Sequence, residues 1–240
     1  MITSRPWKNF AKAVTSYLPH DARVLVYRGL KKGIAEELDV TRIRNAYVQH
    51  GAIFFHVPKT GGTSISMQLY NPPAVANIGI VGMSQMFTAE EFSKALKFAF
   101  VRHPLDRLVS AFFHLKKTVD PRDEKFFARY GDVTRDGFSG FVDWLSEKEA
   151  CYRHTLLIPQ NEFICLGDRV MVDVLGRFEN IAEDYAKIAH RIGLDERLPR
   201  LNATEHQHYT EYYDDRIRNI ATRIYKRDFE IFGYSESQSS

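Results

Sequence analysis

The chain has 240 residues, enough for one large domain or two small ones, and 44% hydrophobic residues with 13% aromatic supply material for a sizeable core. A net charge of +3 is too mild for a nucleic-acid binder, and two cysteines, Cys151 and Cys165, are too few for a disulfide framework or a metal site. No apolar run approaches the ~18 residues of a membrane span, and the opening residues lack the apolar centre of a signal peptide, so a cytoplasmic protein is expected.

Residues 1–45 read as a basic helical extension with interruptions at Gly29 and Gly33. Residues 1–33 carry seven Lys or Arg against the single acid Asp21, which places +6 there and −3 on the rest of the chain. With Trp7, Phe10 and Leu18, this leader suits either a solvated helix packed on the domain or peripheral contact with an anionic membrane face.

Next comes "AIFFHV", residues 52–57, a short apolar run bounded by Gly51 and Pro58 that reads as a buried parallel strand. The stretch "FFHVPKTGGTSI", residues 54–65, carries this strand into a lysine, two glycines and three hydroxyl side chains, with a helix expected over Gly62–Tyr70. Strand, glycine turn and helix is a phosphate cradle, because a helix start offers unpaired N–H groups and the positive end of its dipole. In the Walker loop GxxxxGK[ST] the lysine follows the glycines. Here Lys59 precedes Gly61 and Gly62, an order that argues against an ATPase or nucleotide kinase.

A second strand, "KFAFVR" at residues 97–102, runs into "HPLDRLVSAFFHL", where Pro104 suits a first helical turn. Strand then helix occurs twice, which predicts an α/β fold with a parallel sheet. Arg102 falls at the carboxyl end of its strand, where ligands of open α/β sheets gather, and Ser110 follows eight residues later. A guanidinium fork and a hydroxyl suit a second anion. Taken singly, "KTGGT" could be a tight turn, and Arg102 could pair with Asp106 or Glu179; together they fit a ligand with two separated anionic groups.

Residues 116–140 are polar and glycine-punctuated, either an acceptor-side loop region or plain surface. "VMVDVLGRFEN", residues 170–180, predicts a third strand leading into a helix from about Glu179 to Arg191, closed by Gly193. Residues 198–213 read as loop. Residues 214–229 read as one helix, with Ile217, Ile220, Ala221, Ile224 and Tyr225 at helical spacing, and residues 235–240 as a disordered tail.

"HVPKTGGTS" and "FVRHPLDRLVSAF" resemble the 5′-phosphosulfate and 3′-phosphate loops of sulfotransferases that use 3′-phosphoadenosine 5′-phosphosulfate (PAPS), especially the carbohydrate (family 2) branch. The resemblance continues through "IPQNEFI", "VLGRFENIAEDY", "LPRLNAT" and "IYKRDFEIFGY", so residues 46–234 are expected to form the sulfotransferase domain. It implies a P-loop-like three-layer fold with a central parallel sheet flanked by helices. It also implies sulfuryl transfer from PAPS to an acceptor hydroxyl, on a carbohydrate or glycolipid, without a metal.

By this similarity Lys59, Thr60, Gly61, Gly62, Thr63 and Ser64 hold the phosphosulfate, and Lys59 stabilises the departing phosphate oxygen. Arg102 and Ser110 hold the 3′-phosphate, and Asn202 and Thr204 are the weaker candidates for adenine and late-loop contacts. Some relatives use a glutamate as base in the helix after the glycine loop; here that position is Gln68, and no histidine lies in residues 71–98. His56 and His154 are therefore the base candidates, with Glu90 and Glu91 behind them, while His114 only follows the second motif and His103 is expected to pack beside its helix start. A nucleotide-binding module without transfer activity is the rival reading, and a nucleotide kinase a more distant one.

Overall fold

The run Ala52–Phe55 has no polar alternate position, so a strand built from it must be covered on both faces. In the computed structural model this strand forms, and all four residues are buried. The structure describes residues 40–70, 77–117, 121–199 and 207–236; most of the expected basic leader, Asn202, Thr204 and the end of the expected tail lie outside them.

In chain order the elements begin with α1 (Val40–His50), β1 (Ala52–Phe55), α2 (Gly62–Tyr70), α3 (Ile80–Ser84), α4 (Ala89–Lys94), β2 (Leu96–Val101) and α5 (Pro104–Lys117). They continue with α6 (Pro121–Tyr130), α7 (Gly137–Leu145), α8 (Asn161–Ile164), β3 (Cys165–Leu166), β4 (Arg169–Val170), β5 (Val174–Arg177), α9 (Ile181–Ile192), α10 (Asp215–Ile224) and α11 (Lys226–Phe232). This is a mixed α/β chain, and its described residues fall into two compact units. A sheet unit takes the described chain up to Val57, Gly61–Phe100 and residues 161–199. A helical unit takes Pro58–Thr60, Val101–Gln160 and the described chain from residue 207.

In the sheet unit β1 and β2 run parallel, with Phe54 opposite Phe98 and their rings stacked 5.1 Å apart. The order β1–β2–β5 makes β2 the central strand, which explains its unbroken buried run Phe98, Ala99, Phe100, Val101. Helix α1 continues past the expected end near Asn45 to His50 and buries Ile43 and Ala46. Helix α9 ends at Gly193 in the left-handed conformation, as its sequence predicts.

The expected third strand over residues 170–180 is split. Strands β3 and β4 form a short antiparallel hairpin, and only β5 joins the main sheet. Asp173 marks the break: its carboxylate accepts the Lys97 N–H at 2.8 Å and pairs with the Lys97 ammonium at 3.0 Å.

In the helical unit α5 packs Leu105, Leu108, Val109, Phe112 and Leu115 into one core with side chains of α7, α10 and α11. Within residues 116–140 lies helix α6, whose Phe126 is buried against the edge of Trp144. The single helix expected over residues 214–229 breaks at Tyr225, which leaves the helical region of backbone space with ψ 19°. The break lets the Tyr225 hydroxyl donate to the Leu157 carbonyl and the Asp228 carboxylate accept the Gln160 N–H, each at 2.8 Å.

Two buried phenols give a stability test. The Tyr185 hydroxyl in the sheet-unit core has no hydrogen-bond partner among the described residues, whereas the Tyr213 hydroxyl in the helical unit donates to the Leu105 carbonyl at 2.9 Å. In urea titrations Tyr185→Phe is expected to hold or raise stability, by up to about 1 kcal/mol, and Tyr213→Phe to lower it by about 1–2 kcal/mol. Equal losses from the two substitutions would contradict this bonding.

Candidate anion-binding site

Strand β1 has no polar side chain to offer a ligand, so the chemistry begins where it ends. Past Pro58 the backbone alternates: Lys59 is left-handed (φ 68°), Thr60 is not, and Gly61 is left-handed again (φ 79°). Positive φ on either side of Thr60 makes a tight turn between β1 and α2. A non-glycine residue in that conformation costs about 1–3 kcal/mol, and such strain gathers at functional sites.

Gly62 is required by close approach, and Gly61 chiefly by its left-handed backbone. A Cβ at Gly61 would lie 2.4 Å from Cδ1 of Ile181, and one at Gly62 would lie 1.9 Å from Cδ2 of His56. His56 is itself buried and stacked on Phe54. Its ring therefore lies directly against the backbone that starts α2, where the Ser64 N–H donates to the Gly61 carbonyl at 3.1 Å. Thr60 and Ser64 are buried, while Thr63 is half-buried.

Lys59 and Arg102 both belong to the helical unit. The half-buried Lys59 ammonium has no carboxylate partner among the described residues. Burial first, and then the Arg102 guanidinium, pull its pKa from the ordinary lysine range down to about 8. Arg102 immediately follows β2 and is buried. Its Nε and Nη2 fork onto the Asp106 carboxylate at 2.7 and 2.9 Å, so of the two bland partners weighed from sequence Asp106 is engaged. Its Nη1 donates to the Lys59 carbonyl at 3.3 Å, which ties the arginine to the backbone of the lysine loop. Ser110 is buried on α5.

The base candidates differ in their surroundings. In His154, Nδ1 accepts the Leu156 N–H at 3.2 Å, which puts the ring proton on Nε2, and Nε2 donates to Asp123 at 2.8 Å. Both nitrogens of that ring are thus engaged. Glu91 caps α4 with Thr88 and pairs with Arg44; the Thr88 N–H, then Arg44, hold its carboxyl below the usual range. Glu90 pairs with Lys94 at 2.8 Å. His103 stacks on Tyr209 and meets Phe229 and Tyr234 edge-on, the packing role expected of it. Gln68 donates to the Arg197 carbonyl at 3.5 Å.

Sequence reasoning gave no role to Gln160, which is fully buried and bonded to both backbone groups of Arg102. The only signal was its place in "IPQNEFI", because the contact joins residues 58 positions apart. Among the described residues no group of three or more His, Cys, Asp or Glu could hold a metal ion, and no helix is long and apolar enough to cross a membrane.

The sequence pattern of the sulfotransferase family matches residues 48–235, a span that contains both anion motifs. The chain belongs to the sulfotransferase family. This sulfotransferase-family chain is 28% identical over 119 residues to an uncharacterized protein of Archaeoglobus fulgidus, covering 49% of this chain and 85% of that one. It is 23% identical over 185 residues to carbohydrate sulfotransferase 12 of Mus musculus, covering 62% of this chain and 42% of the mouse protein. It therefore spans less than half the length of that relative. No solved structure gives a significant match.

The contact between His56 and Gly62 can be tested without knowing the ligand. Gly62→Ala is expected to destabilise the sulfotransferase-family fold by about 1–3 kcal/mol, because the new methyl group overlaps the His56 ring. In a His56→Ala background the same substitution is expected to cost measurably less by chemical denaturation. Strictly additive losses would show that the ring and the glycine do not meet.

Proposed function

We propose that the chain is a PAPS-dependent sulfotransferase that moves a sulfuryl group to a hydroxyl of a carbohydrate or glycolipid. One observation carries this reading: a lysine ammonium with no carboxylate partner among the described residues, held beside Arg102 on a left-handed backbone position. A cation whose surroundings disfavour its own charge gains most from an incoming anion. The P-loop-like three-layer arrangement belongs to the same proposal, supported by parallel β1 and β2 and by the glycine loop between β1 and α2.

The donor set suits a ligand with two anionic ends. Lys59, Thr60, Gly61, Gly62, Thr63 and Ser64 offer an ammonium, three hydroxyls and backbone N–H groups to the 5′-phosphosulfate. Arg102 and Ser110 offer a guanidinium and a hydroxyl to the 3′-phosphate. PAPS, when bound, supplies the sulfuryl group and its phosphate leaving group. Lys59 and the loop N–H groups neutralise the charge that grows on the departing oxygen during in-line displacement.

The acceptor hydroxyl must give up its proton to a group within hydrogen-bond reach. His56 and His154 are proposed for this. His154 can serve only after the Leu156 N–H leaves its Nδ1 lone pair, whereas His56 borders the glycine loop. Support for a sugar acceptor comes from the likeness to carbohydrate sulfotransferase 12. A nucleotide-binding module without transfer is the second reading, favoured by Gln68 at the position of some relatives' glutamate and by the engaged His154 ring.

Radiolabelled PAPS incubated with a panel of glycans and glycolipids is expected to yield a labelled acceptor. Binding of 3′-phosphoadenosine 5′-phosphate without labelled product from any acceptor would favour the second reading, and absence of both would refute the two together. In Lys59→Ala, turnover is expected to fall at least about 100-fold with the denaturation midpoint little changed. Retained activity there would remove the lysine from the mechanism.

The lowered lysine pKa also fixes the sign of a pH effect. Lys59 must be protonated to meet the anion, so kcat/KM for PAPS is expected to fall as pH rises through about 8. Lys59→Arg, whose guanidinium stays charged, is expected to move this falling limb to higher pH. A limb identical in the two proteins would assign it to another group.

A further inference from the structure

Arg102 is held by more than its side chain. The Gln160 carboxamide makes two hydrogen bonds to the backbone of this one residue: Oε1 accepts the Arg102 N–H at 2.9 Å, and Nε2 donates to the Arg102 carbonyl at 2.8 Å. A carboxamide side chain carries a neutral donor and acceptor side by side at every pH, as a neighbouring strand would present them. Gln160 is fully buried, so neither bond competes with water.

Gln160 is itself fixed along its own segment. Its N–H donates at 2.8 Å to Asp228, which is also fully buried. Upstream, the buried Arg107 donates to the carbonyls of Leu156 and Ile158 at 3.1 and 2.7 Å, and Tyr225 donates to that of Leu157 at 2.8 Å. Carbonyls at three consecutive positions are thereby tied to α5 and to the break between α10 and α11, all within the helical unit. The carboxamide passes this rigidity to the residue that follows β2, and the direction of the Arg102 guanidinium follows from that backbone.

We propose that Gln160 is a positioning residue for nucleotide recognition: by holding both backbone groups of Arg102, it sets where the guanidinium meets the 3′-phosphate. This presupposes the sulfotransferase reading, in which Arg102 holds that phosphate. The predicted effect is one of specificity, confined to ligands that carry the 3′-phosphate.

The test compares affinities for 3′-phosphoadenosine 5′-phosphate and adenosine 5′-phosphate in the full chain, alongside thermal denaturation. Gln160→Met keeps the side-chain volume and removes both bonds. It is expected to weaken the 3′-phosphorylated nucleotide about tenfold while adenosine 5′-phosphate changes less than about twofold. In an Arg102→Ala background the same substitution is expected to change neither affinity, because no guanidinium remains to be placed. An equal weakening of both nucleotides, or a full loss that persists without Arg102, would mean a general structural role and overturn the proposal.

Gln160→Glu covers the case in which the methionine variant does not fold. As a carboxylate it can accept the Arg102 N–H but cannot donate to the carbonyl, so 3′-phosphate discrimination is expected to fall at alkaline pH and recover as the group is protonated. Discrimination equal to wild type at every pH would overturn the proposal. A wild-type protein that does not distinguish the two nucleotides would instead fail the assignment of Arg102, a result separable from any effect of Gln160.

Discussion

Two cations and one carboxylate set the terms of this site. Arg102 has its charge answered by Asp106 through a two-point fork, and its Nη1 donates to the Lys59 carbonyl. Lys59 has no such answer among the described residues, and the nearby guanidinium adds to the cost of its burial. Like charges held in one place and compensated only in part are unfavourable for the protein alone. They become favourable when a polyanion arrives. The hydrogen bond from Arg102 to the Lys59 carbonyl ties the side chain proposed for one end of that anion to the backbone of the residue proposed for the other.

The fold supplies this arrangement by exhausting the polar possibilities elsewhere. The strands β1 and β2 bury Phe54, Phe55, Phe98 and Phe100 on both faces of the sheet, so ligand chemistry can begin only past their carboxyl ends. At the first of these ends, the His56 ring presses on Gly62, leaving no room for a Cβ. At the second, the Gln160 carboxamide occupies both backbone groups of Arg102. The left-handed Lys59 is the strained residue within this framework, and its carbonyl is held by the arginine.

Most of the sheet unit was legible in the sequence because its signals are local. An apolar run ending in Pro58 marked β1, and Gly193 marked the end of α9. The motifs around Lys59 and Arg102 carried the family resemblance that the match over residues 48–235 shows. The misses came from interactions that composition hides. Helix α6 sits in a stretch whose charges and glycines read as loop, and its Phe126 faces a core built from distant residues. Tyr225 and Asp228 sit at helical spacing, yet the helix breaks at Tyr225, where the two side chains bond residues 157 and 160. Asp106, four residues from Arg102, reads in the sequence as a candidate partner of it, and it is one; Gln160, 58 positions from Arg102, was legible only after folding.

Proton uptake on binding tests the central claim most directly. With the Lys59 pKa at about 8, the protein alone carries a partly deprotonated lysine at that pH, and an anion seated on it must draw the proton back. Titration calorimetry with 3′-phosphoadenosine 5′-phosphate at pH 8, repeated in buffers of different ionisation enthalpy, is expected to show uptake of about half a proton, lost in Lys59→Ala. Tight binding with no proton uptake, or the same uptake in the alanine variant, would contradict a Lys59 that is partly deprotonated until the anion seats on it.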